Sequence, residues 1–151
     1  MQSKIILTTD ITANAHQVFE VITTQAGLAG WYTPEAKVDG TQVELRFGQL
    51  TTLKFAVREV EIDQRVVWSG VQVPADWRNT RITFTIATDG TMAHLTFVQD
   101  GLPQDYQDLG SFAYLWAQYL RSIKMLVETG SGEPFGSKAS RQAGTTPSGA
   151  F

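Results

Sequence analysis

The chain has 151 residues, of which 42% are hydrophobic and 18% are charged, and its net charge is -3. A chain of this length is expected to form one domain with a sizeable core, and an acidic chain lacks the basic face that nucleic-acid binding normally needs. The absence of cysteine excludes disulfides, thiolate catalysis and cysteine-based zinc sites.

The chain begins with a predicted strand followed by two short helices. Residues 4–11 are rich in β-branched side chains, which is typical of a strand. Either Thr12 or Asn14 can accept a backbone N–H and so begin a helix that continues to Thr23. A second short helix or turn is predicted for residues 25–31, where two glycines limit its length.

Alternating apolar and polar residues then predict a series of strands. The strands predicted after the helices cover residues 41–47, 51–62, 65–70, 80–88 and 91–99. In the second of these, the alternation slips near Arg58 and Glu59, which predicts a bulge. The strongest hairpin signal in the chain is Asp89-Gly90.

The last predicted element is a long amphipathic helix from Asp108 to Glu128, with Gly130 placed to end it as a C-cap. This order predicts an α+β fold, in which a curved antiparallel sheet of about six to seven strands wraps around one long C-terminal helix. The predicted domain covers residues 1–130. Residues 131–151 are rich in Gly, Ser, Thr, Ala and Pro, which predicts a flexible tail.

Several short segments share their order and spacing with one known family. They are ITANA at 11–15, VFEVITT at 18–24, WYTPE at 31–35, EVEID at 59–63, VVW at 66–68, the hairpin at 90–102 and the segment at 127–136. Together they resemble the SRPBCC (START-like) superfamily, most closely its branch related to the activator of heat-shock-protein ATPase. The chain departs from that pattern at Gln99, where the family often has His, and at Ser111-Phe112, where it often has Gly-Trp.

The resemblance implies the helix-grip fold of the birch pollen allergen, with a cavity between the sheet and the long helix. Aromatic walls favour the binding of a small apolar molecule or lipid in such a cavity. The candidate ligand-binding residues are Trp31, Phe47, Phe55, Trp68, Trp77, Phe84, Phe97, Phe112, Trp116, Tyr119, Leu120 and Ile123. The same aromatic residues also suit a packed core, and the tryptophan at 77, in a polar loop, suits either a pocket lid or a surface contact.

Two alternative functions follow from the resemblance. A regulator of a chaperone ATPase would act through its surface, whereas a cyclase or dehydratase would need a carboxylate, His or Tyr in its pocket. The chain has no nucleophile-elbow, P-loop or dinucleotide motif. His16 and His94 lack the spacing of metal ligands, so both are expected at the surface, and no metal or cofactor is predicted.

The remaining expectations concern location and assembly. Residues 1–10 do not resemble a secretory signal, and no apolar run reaches the roughly 20 residues that span a bilayer. A cytoplasmic protein is therefore expected. Exposed edge strands are compatible with a monomer or a homodimer, and the expected partners are an apolar molecule or lipid, with a chaperone as the alternative.

Overall fold

The computed structural model describes residues 2–137, which form a seven-stranded antiparallel sheet and three α-helices. The strands are β1 (Ser3–Ile11), β2 (Glu35–Asp39), β3 (Gln42–Phe47), β4 (Thr51–Glu61), β5 (Arg65–Gln72), β6 (Arg81–Asp89) and β7 (Met92–Leu102). The helices are α1 (Ala15–Thr23), α2 (Gln25–Trp31) and α3 (Leu109–Thr129), with one 3₁₀ turn at Ala75–Trp77. The predicted helix-grip α+β architecture is confirmed.

The order of strands across the sheet is β1-β7-β6-β5-β4-β3-β2, so β1 and β2 are its two edges. Strands β2 to β7 follow one another as hairpins, and β1 pairs with β7. The predicted turn at Asp89-Gly90 joins β6 to β7, with Gly90 at φ 60°. Strand β7 continues to Leu102, three residues beyond the predicted strand 91–99, because its last residue pairs with Ser3 of β1.

The bulge predicted in the second long strand is present in β4. Val57 lies opposite Trp68 of β5, but the next partner of β5, Val67, lies opposite Glu59. One extra residue on β4 is therefore left without a partner across the ladder. This slip allows Val60 to line the same cleft as Val57, although the two are three residues apart in the sequence.

A capping residue fixes the start of α1, and close packing holds α2 against it. Asn14, not Thr12, caps α1: its side chain accepts from the N–H of Gln17 at 2.9 Å, and the side chain of Gln17 accepts from the N–H of Asn14 at 3.1 Å. These two bonds form a capping box. Helix α2 packs closely on α1, since a Cβ at Gly27 would lie 2.4 Å from the Cα of Val21.

The long helix α3 supplies one wall of the core. Its buried residues are Phe112, Trp116, Tyr119, Leu120, Ser122 and Ile123. Gly130 adopts the left-handed conformation (φ 88°) and its N–H bonds to the carbonyl of Leu126, which confirms the predicted C-cap. Among residues 2–137, no helix combines the length and the apolar character needed to cross a bilayer.

The segment after α3 folds back onto the domain as far as it is described. The N–H of Glu133 bonds to the hydroxyl of Ser122 at 2.7 Å, and the N–H of Phe135 bonds to the carbonyl of Tyr32 at 2.8 Å. The ring of Phe135 also packs edge-on against Phe47, with centroids 5.4 Å apart. Residues 138–151, the remainder of the predicted tail, lie outside the described part of the chain.

Candidate ligand-binding cleft

All twelve residues predicted to bind a ligand are buried in one core cluster, each with no more than 3% of its surface exposed. They come from α2, from strands β3 to β7, from α3 and from the 3₁₀ turn. The structure therefore brings the whole set together between the sheet and the helices. Whether they contact a ligand stays a prediction.

The centre of this cluster is filled by aromatic rings in mutual contact. Tyr32, which the sequence did not single out as a site residue, stacks on Trp31 with centroids 4.7 Å apart and meets Tyr119 at 4.7 Å. Trp116 lies 5.3 Å from Tyr32 and 4.2 Å from Phe97. Ring centroids at these separations are in direct contact, so side chains occupy the space immediately around Trp116.

The ring contacts continue across the sheet as far as Trp68. Phe97 meets Phe84 at 5.6 Å, and Phe84 meets Trp68 edge-on at 5.2 Å. Trp68 also packs on Phe55 at 5.5 Å. One aromatic layer thus runs from α3 to the strands at the opposite side of the core.

The loop tryptophan, Trp77, is fully buried and is therefore not a surface contact. Its ring packs edge-on against Phe112 at 4.9 Å, and its indole N–H donates to the hydroxyl of Tyr106 at 3.1 Å. Burial raises the pKa of the Tyr106 phenol to about 12, so this hydroxyl is neutral at physiological pH. Trp77 is therefore part of the packed core.

Two buried polar groups in this core lack a partner among the described residues. Gln99 accepts a hydrogen bond from the indole N–H of Trp116 at 3.2 Å, but its amide nitrogen has no acceptor. The hydroxyl of Tyr119 likewise has no partner. Burial raises the pKa of the phenols of Tyr119 and Tyr32 well above the usual value of 10, so neither serves as a base at neutral pH.

A cleft of about 120 Å³ opens beside this aromatic layer, between α1 and the inner face of the sheet. Its lining residues are Phe19, Ile22, Thr23, Val38, Gly40, Val43, Val57, Val60, Val66 and Trp68. The deepest of these, Ile22, Val66 and Trp68, are buried, whereas Val60 at the rim is 52% exposed. The cleft is therefore an apolar pocket with a hydrophobic mouth.

One hydroxyl lies among these apolar walls. The hydroxyl of Thr23 donates to the carbonyl of Phe19 within α1 at 2.8 Å. Because the hydroxyl proton is used in this hydrogen bond, the Thr23 oxygen can only accept a hydrogen bond from a ligand. The residues that line the cleft include no carboxylate, imidazole or phenol, so they offer no general acid or base.

An ion pair joins α1 to the turn between β4 and β5. His16 of α1 binds Asp63 of the β4–β5 turn through Nδ1 at 2.8 Å, and it meets Glu20 through Nε2 at 3.0 Å. Asp63 adopts a left-handed conformation (φ 63°) in this turn. The hydrogen bond and charge of Asp63, followed by Glu20, raise the pKa of His16, so the pair is strongest when the imidazole is protonated.

The second histidine lies on the other face of the sheet. His94 hydrogen-bonds to Asp10, which raises the pKa of its imidazole, and it lies 3.9 Å from Asp89. It alternates along β7 with the buried Leu95. Within residues 2–137, no group of three or more His, Asp or Glu side chains has an arrangement that would hold a metal ion.

Sequence reasoning missed most of the lining of this cleft, because it concentrated on aromatic residues and on the long helix. Trp68 is the one residue shared by the predicted set and the lining. Two signals pointed to the rest: the apolar face of α1, which carries Phe19 and Ile22, and the phase slip in β4. Because of that slip, Val57 and Val60 both line the cleft.

Comparison with known proteins identifies the family. The model of the family described as Activator of Hsp90 ATPase homolog 1-like protein matches residues 12–128. The chain belongs to this family. No curated protein matches the chain. Many solved structures share the fold of this chain.

Three of these structures illustrate the similarity. The Aha1 dimer from Colwellia psychrerythraea has a TM-score of 0.79 and 23% identity, over 86% of this chain and 99% of that one. Protein SSP2350 from Staphylococcus saprophyticus gives 0.71 and 19%, over 86% and 95%. Protein MLL2253 from Mesorhizobium loti gives 0.71 and 19%, over 83% and 96%. At these identities the similarity establishes the fold of the activator-homologue family and no specific activity.

Proposed function

We propose that this protein binds a small apolar molecule in the cleft between α1 and the sheet. The observation that carries the proposal is an apolar pocket lined by the buried Trp68 and by Val60, which is 52% exposed. Concave sites with apolar walls and a few polar groups are typical of small-molecule binding. The other aromatic residues predicted from the sequence form the packed layer behind Trp68.

The volume of the cleft sets the size of the ligand. At about 120 Å³ it is close to the roughly 150 Å³ of an apolar cavity that accepts benzene. It is well below the 300–1,000 Å³ typical of sites for drug-sized ligands. The expected occupant is a single aromatic ring or a short branched hydrocarbon chain. Its polar end, where it has one, is a hydroxyl or amine that donates to the oxygen of Thr23.

A ligand titration with a matched pair of variants tests this proposal. Benzene, phenol and isobutanol are titrated into the protein while its amide resonances are followed by NMR. Val60→Phe narrows the mouth at an exposed position, and Val71→Phe makes the same change at another valine of comparable exposure, 58%. We expect shifts centred on α1 and β4–β5, and at least tenfold weaker binding in Val60→Phe only. Equal binding by both variants, or no binding of any probe, would contradict the proposal.

Regulation of a chaperone ATPase is a second candidate, favoured by an exposed apolar tip. Ile62, 72% exposed, follows Val60 at the end of β4 and extends the apolar surface beyond the cleft. The family's description and the name of the Colwellia relative point to the same class of partner. Ile62→Ser is expected to abolish any stimulation of an Hsp90-type ATPase, while Leu50→Ser at a separate exposed position leaves it intact. Absence of stimulation by the wild type would exclude this candidate.

A further inference from the structure

The edge strand β1 leaves backbone groups open along its middle. Two backbone groups show which residues face away from β7. The C=O of Asp10 accepts from Lys124 of α3, and the N–H of Thr12 donates to Glu128 of α3. By the alternation of antiparallel ladders, Ile6 and Thr8 direct their backbone groups the same way. Within residues 2–137, the outward N–H and C=O groups of Ile6 and Thr8 form no hydrogen bond.

The opposite edge of the sheet is protected. On β2, the outward N–H of Val38 donates to the side chain of Gln25 at 3.0 Å, and that of Ala36 donates to the carbonyl of Thr33 at 3.1 Å. Strand β2 is also short, with five residues against nine in β1. Short, occupied edges resist pairing with another chain, so the centre of β1 is the edge that favours pairing.

A groove lies between the centre of β1 and helix α3. It has a volume of about 350 Å³ and separates residues 7–9 of β1 from Ala117, Leu120, Arg121 and Lys124 of α3. Its floor is apolar at Leu120, which is buried. On the outer face, next to the open backbone groups, Ile6 is 54% exposed. The surface beside the open backbone groups is therefore apolar at Ile6.

We propose that β1 of a second copy of this chain pairs antiparallel with β1, with Leu7 opposite Leu7 of the second copy. This register makes Ile6 and Thr8 hydrogen-bonded partners across the interface. It also places Lys4 opposite Asp10 of the second copy, twice by symmetry, and opposite charges facing each other across strands are stabilising. Shifting the register by two residues in either direction loses both charge pairs, so the charge pattern selects this alignment.

The capping interactions of α3 set the length of the interface. Lys124 binds the carbonyl of Asp10, and Glu128 accepts from the N–H of Thr12 at 2.8 Å. The new ladder therefore ends at Asp10. The carboxylate of Asp10 bonds to His94 through Oδ1, which leaves its second oxygen for Lys4 of the partner copy.

A single cysteine tests both the dimer and its register, because the chain contains no cysteine. In the proposed register, Leu7 and Leu7 of the second copy form a non-hydrogen-bonded pair. The Cα atoms of such a pair lie about 4.5 Å apart, which is within the range that a disulfide spans. We expect the wild type to be a dimer by light scattering, and Leu7→Cys to form a disulfide-linked dimer on mild oxidation. Ile6→Cys, Thr8→Cys and, on the β2 edge, Lys37→Cys are expected to remain unlinked.

Charge reversal provides an independent test. Lys4→Asp places like charges opposite each other and is expected to weaken the dimer roughly fivefold to tenfold, and the double variant Lys4→Asp/Asp10→Lys is expected to restore it. Lys37→Asp, the same change on β2, leaves assembly unchanged. A monomeric wild type at NMR concentrations, crosslinking through position 37, or a double variant weaker than Lys4→Asp would each overturn the proposal. Circular dichroism confirms that every variant is folded.

Discussion

The hydroxyl of Tyr119 makes the sharpest test of the packing around the long helix. It is buried, with the residue 2% exposed, and has no hydrogen-bond partner among residues 2–137. A buried hydroxyl without a partner costs about 1–3 kcal/mol. Tyr119→Phe removes that cost and leaves a void of only one oxygen. We expect the variant to be more stable by about 1 kcal/mol, which corresponds to a rise of about 2–4 °C in Tm for a domain of this size.

The matched control is Tyr106→Phe. It also removes a tyrosine hydroxyl, but this hydroxyl accepts a hydrogen bond from the indole N–H of Trp77. There we expect a loss of about 1 kcal/mol, because a hydrogen bond is broken. Both variants are compared with the wild type by urea and thermal unfolding at pH 7, where both phenols are neutral. A Tyr119→Phe variant less stable than the wild type would refute the reasoning, since it would show that the hydroxyl is satisfied in solution.

Three further predictions concern α1 and its neighbours. Gly27→Ala is expected to cost about 2 kcal/mol in urea unfolding, despite the better helix propensity of alanine, because its Cβ would lie 2.4 Å from the Cα of Val21. Asn14→Ala is expected to cost about 1 kcal/mol through loss of the helix cap. Asp63→Asn keeps the turn and is expected to lower the pKa of His16, measured as its NMR titration midpoint. Because the pKa of His16 is raised in the folded wild type, this variant is expected to lose most stability below pH 6.5. The loss shrinks as pH rises through the pKa of the folded state.

Local patterns predicted much of the fold because the relevant physics is local. A Gly after Asp89 suits the left-handed position of a hairpin turn, and Gly90 adopts φ 60°. Gly130 ends α3 for the same reason. The phase slip at Arg58 and Glu59 was sufficient to predict the bulge in β4. Each of these features depends on residues within a few positions of one another.

The contacts that decide burial join residues far apart in the sequence, and no local pattern contains them. Trp77 lies in a polar loop, yet Tyr106, 29 residues later, covers its indole nitrogen. The segment after Gly130 also contacts the core, because Ser122 and Tyr32 provide an acceptor each for the backbone N–H groups of Glu133 and Phe135. Composition alone does not predict that these backbone groups find partners on the core.

The position of Trp68 connects the packed core to the proposed binding site. One side of its ring is held by Phe55 and Phe84, and the residue also lines the cleft beneath α1. The aromatic layer around Trp116 is in close contact throughout, so a ligand there would have to displace several rings at a cost of several kcal/mol. A ligand beneath α1 enters a cleft that is already open in the structure, so it displaces no ring of this layer. Binding on the α1 side is therefore the route that leaves the core intact.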